Sequence, residues 1–389
     1  MRWSRVPLAA LVMLLVTVLV AAAAAACTGS TGPAADGSAD NPAVAPSSSS
    51  AVDSYSPSCV AAAAALTPRA RLAQQLMVGV DPADLAAAVE RVRTWQVGGI
   101  FIGGNSTNLL VDGALARVQA VAKVPVAVAV DDEGGRVQRL DALDGSIPSA
   151  RRMGVTMTPA QVRTLALERG RALKARGVTV DLAPVVDVGN QPADDVIGDR
   201  SFGSDPAAVS RFAGAFAAGL REAGVLPVLK HFPGHGQANG DSHQGKVSTP
   251  ALAALKADDL RPYEDLIGAG EVGVMVGHLD VPGLTGGEPA TVSPAAYQLL
   301  RGEYRHSGLV FTDDLGAMRA ISDRYDLPDA VVKALAAGAD VALWSTGDRI
   351  GEVLDTMEAA LSSGKLPAEQ VDASVRRILA AKGACGPQS

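Results

Sequence analysis

Eight short apolar runs punctuate the chain: Leu76 to Val80, Val97 to Ile102, Val124 to Val130, Val178 to Val186, Val225 to Leu229, Val272 to Val276, Gly308 to Phe311 and Ala339 to Leu343. Runs of this length, many rich in Val and with no polar alternation, read as strands buried on both faces, which is the lot of parallel strands. The segments between them carry a recurrent helix-start signal: Thr67-Pro68, Asp81-Pro82, Thr158-Pro159, Asp205-Pro206, Thr249-Pro250 and Ser293-Pro294. Each pairs an oxygen-bearing N-cap with a Pro at the first helical position, where a missing N–H costs nothing. After Asp205 the pattern is clearest, with Val209, Phe212, Phe216 and Leu220 on one face and Gly224 as the stop. Strand and helix alternating eight times predict an α/β protein, a single (β/α)8 TIM barrel, with a doubly wound sheet as the competing architecture.

In a barrel, chemistry collects where strands end and loops begin. Asp131, Asp132, Glu133, Gly134, Gly135 and Arg136 follow the third run, Asp187 and then Asp199-Arg200 the fourth, Lys230-His231 the fifth, His278 and Asp280 the sixth, and Asp313-Asp314 the seventh. The densest cluster is Lys230-His231-Phe232-Pro233-Gly234-His235-Gly236, continuing to Asp241-Ser242-His243. His, His and Asp are legitimate zinc ligands. His231 and His235 stand four apart, but Pro233, Gly234 and Gly236 argue against the helix that would align them, so no metal site is expected. Acid–base work fits better. Asp241 and His243, one residue apart, project to one side of an extended loop, where the carboxylate can fix the imidazole tautomer. Such a histidine can protonate a leaving oxygen, and a carboxylate opposite it, Asp313 or Asp314, can act as nucleophile.

The amino terminus is a separate matter. Arg2 and Arg5 precede an uncharged apolar run, Val6 to Ala26, that ends in small residues before Cys27. Residues 1–26 read as an export signal resembling that of bacterial lipoproteins, with Cys27 as the lipidated residue; a retained transmembrane anchor is the alternative. Ala24 stands where such signals usually carry Leu or Val. Residues 27–58 are Ser, Ala, Pro, Gly and Asp-rich and read as a disordered tether, leaving 59–389 as the catalytic domain. Of 3 Cys, this leaves Cys59 and Cys385 at the two ends of the domain. After export a disulfide between them is the preferred expectation and two thiols the alternative. A net charge of −7 argues against nucleic acid or an anionic membrane surface as partner, so membrane contact is expected through the lipid alone.

At the residues just quoted the sequence resembles glycoside hydrolase family 3, and within it the NagZ-type β-N-acetylglucosaminidases. Lys230 to His243 matches the branch's signature loop, Asp131 to Arg139 its Asp-x-Glu-Gly-Gly-Arg-Val-Gln-Arg segment, Ile197 to Phe202 its Ile-Gly-x-Arg-Ser-Phe segment, and Thr312-Asp313-Asp314-Leu315 with Met318 its nucleophile segment. The resemblance implies Asp313 as nucleophile and His243 as general acid/base supported by Asp241. Asp131, Arg139, Arg200, Lys230 and His231 would hold the sugar. It also implies a retaining mechanism, no cofactor, and GlcNAc-β-1,4-MurNAc fragments, a muropeptide or a GlcNAc-containing disaccharide, as substrate of a monomeric enzyme. The second, sandwich domain of larger members has no counterpart here. Asp314 is expected to be structural, Glu133 and Arg136 to pair with each other or to bind, His235 to shape the loop, and Gly234, Gly236 and Gly240 to let it move. With aromatics at only 4%, Trp344 at the end of the eighth run is expected to touch substrate. A phosphorylase using the same dyad and a non-catalytic sugar-binding lipoprotein are the alternatives.

Overall fold

The structure, a computed structural model, describes residues 56–386. The signal segment, Cys27 and all but the last residues of the tether lie outside the described residues.

Each of the eight apolar runs overlaps a strand: β1 (Leu76–Val80), β2 (Gly99–Ile102), β3 (Ala127–Val130), β4 (Val180–Asp181), β5 (Leu226–Phe232), β6 (Gly273–Val276), β7 (Val310–Thr312) and β8 (Ala342–Trp344), with β5, β7 and β8 running past the ends of theirs. Every neighbouring pair is parallel, from β1 round to β7, and β8 returns to pair with β1. One bridge, Phe311 with Val341, joins β7 to β8 and completes the ring. This is a single (β/α)8 barrel. The strands are shorter than the runs where Pro intervenes: β3 starts after Pro125, and β4 ends before Pro184, which offers no N–H to the ladder.

Alternation along the strands makes two cores. Met77, Phe101, Ala129, Val228, Met275, Phe311 and Leu343 fill the barrel. Their neighbours Val78, Ile100, Ile102, Val128, Leu229, Val274 and Val310 face the helices. Trp344 belongs to this outer set. It is 0% exposed, and its indole N–H donates to the Asp348 carbonyl at 3.1 Å. The expectation that it contacts substrate is therefore corrected: Leu343 faces the barrel interior, so the next residue must face the helical shell.

Four of the six helix-start signals lie where helices begin, at Pro68, Pro159, Pro206 and Pro294. Thr158 forms a full capping box with Gln161. The other two are turns. Asp81 accepts from the Ala83 N–H while Asp84 caps Leu85–Trp95, and Thr249 is tied by its N–H to the Asp280 carbonyl. The domain also begins slightly earlier than position 59. Ser56 caps the helix Pro57–Ala64, repeating the same Ser/Thr/Asp-Pro signal. Cys59 on that helix is bonded to Cys385, with Cα atoms 4.3 Å apart, so the two ends of the folded region are joined.

Candidate active site

A cavity of about 430 Å³ opens at the carboxyl ends of the strands. Its floor is apolar, from Phe101, Leu182, Met275 and Leu343, and its walls carry Asp131, Glu133, Arg139, Arg200, Lys230, His231, His243 and Asp313. Wall residues from the ends of four strands, β3, β4, β5 and β7, thus converge although they are spread over much of the chain.

One wall is an ion-pair lattice. Glu133 takes two bonds of 2.8 Å from Arg200 and lies 2.6 Å from Lys230 Nζ, which also donates to Asp131 at 2.7 Å. Burial alone would raise the Glu133 carboxyl, but Arg200 and Lys230 outweigh it and hold it well below the usual range. Burial works to lower both cations, but Glu133 and Asp131 outweigh it and raise Arg200 and Lys230. Arg139 stands beside Asp131 at 3.9 Å, and its buried Nε has no partner among the described residues. The segment is anchored from behind by Asp132, which accepts from the Arg139 N–H and pairs with Arg169 at 2.5 Å. Arg136 does not pair with Glu133. It caps the Asp195, Val196 and Ile197 carbonyls and faces Asp199, because Arg200 and Lys230 already saturate Glu133.

Beneath the cavity, Asp187 binds His231 Nδ1 at 2.7 Å through one oxygen and the N–H groups of His231 and His235 through the other. Burial works to raise Asp187, and the histidines hold it below its ordinary value. An ionised carboxylate on Nδ1 makes that nitrogen the donor and leaves Nε2 for a ligand. The β5–β6 ladder shifts register between Leu229 and Phe232, where Lys230 and His231 both enter the cavity wall.

Asp313 follows β7 and is buried in the cavity wall. Burial opposes its ionisation, but His231, His278, the Asp314 N–H and Lys230 keep its carboxyl below the ordinary range, as a nucleophile requires. Asp314 is structural, as expected: its carboxylate accepts from the N–H groups of Gly316, Ala317 and Ser345. His278, between Thr291 and the Asp314 carbonyl, braces the same turn.

His243 comes from the loop after β5. Its side chain is 55% exposed, and its Nδ1 lies 2.8 Å from Asp241, which also accepts its N–H at 2.9 Å. Asp241 is held below its ordinary value, against burial, by these bonds. The loop's glycines divide into two kinds. A Cβ at Gly236 would sit 2.1 Å from the Val188 carbonyl and one at Gly234 2.2 Å from Asp259, so both lock the loop's base rather than freeing it. Gly240 and Gly245, with φ of 105° and 157°, flank the dyad, where a Cβ would meet only ordinary contacts at Gly240 and open space at Gly245. Among the described residues no group of three His, Cys, Asp or Glu is arranged to hold a metal.

The structure gathers every expected sugar-binding residue except Trp344 around one cavity, with the Asp241–His243 pair at its rim. Asp187 and the Asp132–Arg169 clamp were not assigned from sequence. Asp187, at the end of the fourth run, carried a legible signal; Arg169, inside a helix, carried none.

The model of the glycosyl hydrolase family 3 N-terminal domain matches residues 67–381. The chain belongs to glycosyl hydrolase family 3. It is 55% identical over 327 residues to the beta-hexosaminidase LpqI of Mycobacterium tuberculosis, a match covering 82% of this chain and 84% of the relative. The crystal structure of a family 3 member from Mycobacterium smegmatis superposes with a TM-score of 0.80 at 56% identity, covering 84% of this chain and 99% of that one. A family 3 beta-N-acetylglucosaminidase from a Paenibacillus species gives 0.78 at 33% identity, over 84% of this chain and 64% of that one. This family 3 barrel is a glycoside hydrolase.

Proposed function

We propose that this glycoside hydrolase is a retaining exo-β-N-acetylglucosaminidase that releases GlcNAc from GlcNAc-β-1,4-MurNAc fragments of peptidoglycan during cell-wall turnover. The observation that carries the reading is the pairing of a buried, ionised Asp313 in the cavity wall with an Asp241-held His243 at the rim of the same cavity. Asp313 attacks the anomeric carbon as His243 protonates the leaving oxygen; water then cleaves the glycosyl-enzyme with His243 as base. The lattice of Asp131, Arg139, Arg200 and Lys230, with His231, offers charged and neutral partners for sugar hydroxyls. The N-acetyl preference draws support from the relatives' names, beta-hexosaminidase and beta-N-acetylglucosaminidase.

Turnover of defined muropeptides beside aryl GlcNAc and aryl glucoside controls tests specificity, and a preference for the glucoside overturns it. Proton NMR of the first-formed sugar tests retention: an initial α-anomer rejects double displacement. If Asp313→Ala and His243→Ala both keep full turnover, the residue roles are wrong. Binding of an aryl GlcNAc without turnover would instead favour a sugar-binding lipoprotein. Because an imidazole repels incoming phosphate less than a carboxylate would, phosphorolysis is the second reading; sugar 1-phosphate as the main product in phosphate buffer selects it. Exported and anchored through Cys27 to the outer face of the cytoplasmic membrane, the enzyme would meet wall debris directly. Loss of lipid labelling in Cys27→Ala is the expected outcome.

A further inference from the structure

A second cavity, of about 340 Å³, lies at the opposite, amino-terminal mouth of the barrel. It is lined by the first residues of four strands, Gly99, Ala127, Val180 and Leu226, so it is separated from the catalytic cavity by the packed interior. Its walls are mostly apolar, with Met77, Leu309, Phe311, Val341 and Ile378 contributing, which is the makeup of a small-molecule site.

The charges on this cavity do not balance. Lys174, Arg221 and Lys382 line it, against Glu271 as its one carboxylate. Lys382 Nζ donates to the neutral Oε1 of Gln74 at 2.8 Å, and burial, with no carboxylate to offset it, pulls the amine down to about 7. Arg221 is also lowered, first by burial and then by Arg163, with Glu271 opposing. Three cations thus stand beside an apolar wall on one chamber, and a molecule that joins an anion to an aliphatic chain matches both.

We propose that the amino-terminal cavity binds an anionic amphiphile, a carboxylate on a linear aliphatic chain, with the chain among Met77, Leu309 and Phe311 and the carboxylate against Lys382, Arg221 and Lys174. Calorimetric titration of the intact folded protein with sodium dodecanoate, below its micelle concentration, tests this against dodecyltrimethylammonium, which has the same tail and the opposite charge. Dodecanoate is expected to bind at one saturable site, with dissociation at about 0.1 mM or tighter, and the cation at least about tenfold more weakly. Lys382→Met and Arg221→Gln should each weaken dodecanoate by about tenfold while leaving aryl-glycoside turnover unchanged, since neither lies near the catalytic cavity. No saturable binding, equal affinity for the two amphiphiles, wild-type affinity in both variants, or competitive inhibition of turnover by dodecanoate would each overturn the proposal.

Discussion

The Asp241 carboxylate grips His243 twice, taking its ring Nδ1 at 2.8 Å and its backbone N–H at 2.9 Å. Ring and backbone are thus fixed by one residue on an otherwise open loop tip. Asp241→Asn keeps an acceptor but removes the charge that supports a protonated imidazole. The expected result is a loss of about 10²-fold in kcat with KM little changed. Because Asp241 is held below its ordinary value, its support is present above pH 4 and fades only as pH falls through its lowered pKa. An unchanged kcat at pH 6 would show that the pair does no proton work.

Proton donation matters most when the leaving group is poor. His243→Ala should therefore lose little on a 2,4-dinitrophenyl GlcNAc, whose phenolate needs no proton, and about 10²-fold or more on an alkyl or disaccharide substrate. Leaving-group dependence of kcat/KM measures this directly. A uniform loss across leaving groups would assign His243 to binding instead.

Glu133 joins Arg200 and Lys230 in one buried lattice. Glu133→Gln leaves two cations without their shared counter-charge, which for buried pairs costs about 3–5 kcal/mol. Stability in urea should fall by that order, and kcat/KM should drop because Arg200 and Lys230 lose their orientation. Asp restores the charge but is one methylene too short to reach both cations, so Glu133→Asp should recover only part of either loss. Wild-type behaviour of Glu133→Gln would mean that the lattice does not organise the site.

The barrel was legible because buried parallel strands leave a signature no exposed element shares, and each of the eight apolar runs overlaps a strand. The site was legible at residues that follow those runs. What escaped depended on register or on distant pairing. Whether Trp344 faces the lumen or the helices turns on one residue of alternation, which a run's apolar composition does not encode. The Asp132–Arg169 pair joins positions 37 apart, and nothing local in the helix Pro159–Arg176 marks Arg169 as a partner. The glycines of the loop after β5 look alike in sequence; only the backbone of Val188 and the side chain of Asp259 set Gly236 and Gly234 apart from the rest.

Asp259 offers a test of how tightly the base of that loop is held. It is fully buried, accepts through Oδ1 from the N–H groups of Val188 and Gly236, and has no partner at Oδ2 among the described residues. Burial first, and then the charge of Asp187, push its carboxyl up to about 7. A raised carboxyl favours the folded state below the unfolded value near 4 and loses that advantage as pH rises through 7, because the folded protein holds its proton while the unfolded chain releases it. Asp259→Asn retains the Oδ1 acceptor and cannot ionise. Relative to wild type it should gain stability as pH rises from 4 to 8, by up to a few kcal/mol at about 1.4 kcal/mol per pKa unit, with the two proteins closest at pH 4. Urea unfolding across that range reads the difference. A gap that stays constant with pH would mean that Asp259 remains ionised in the fold and that the Asp187–Asp259 pair tolerates two charges.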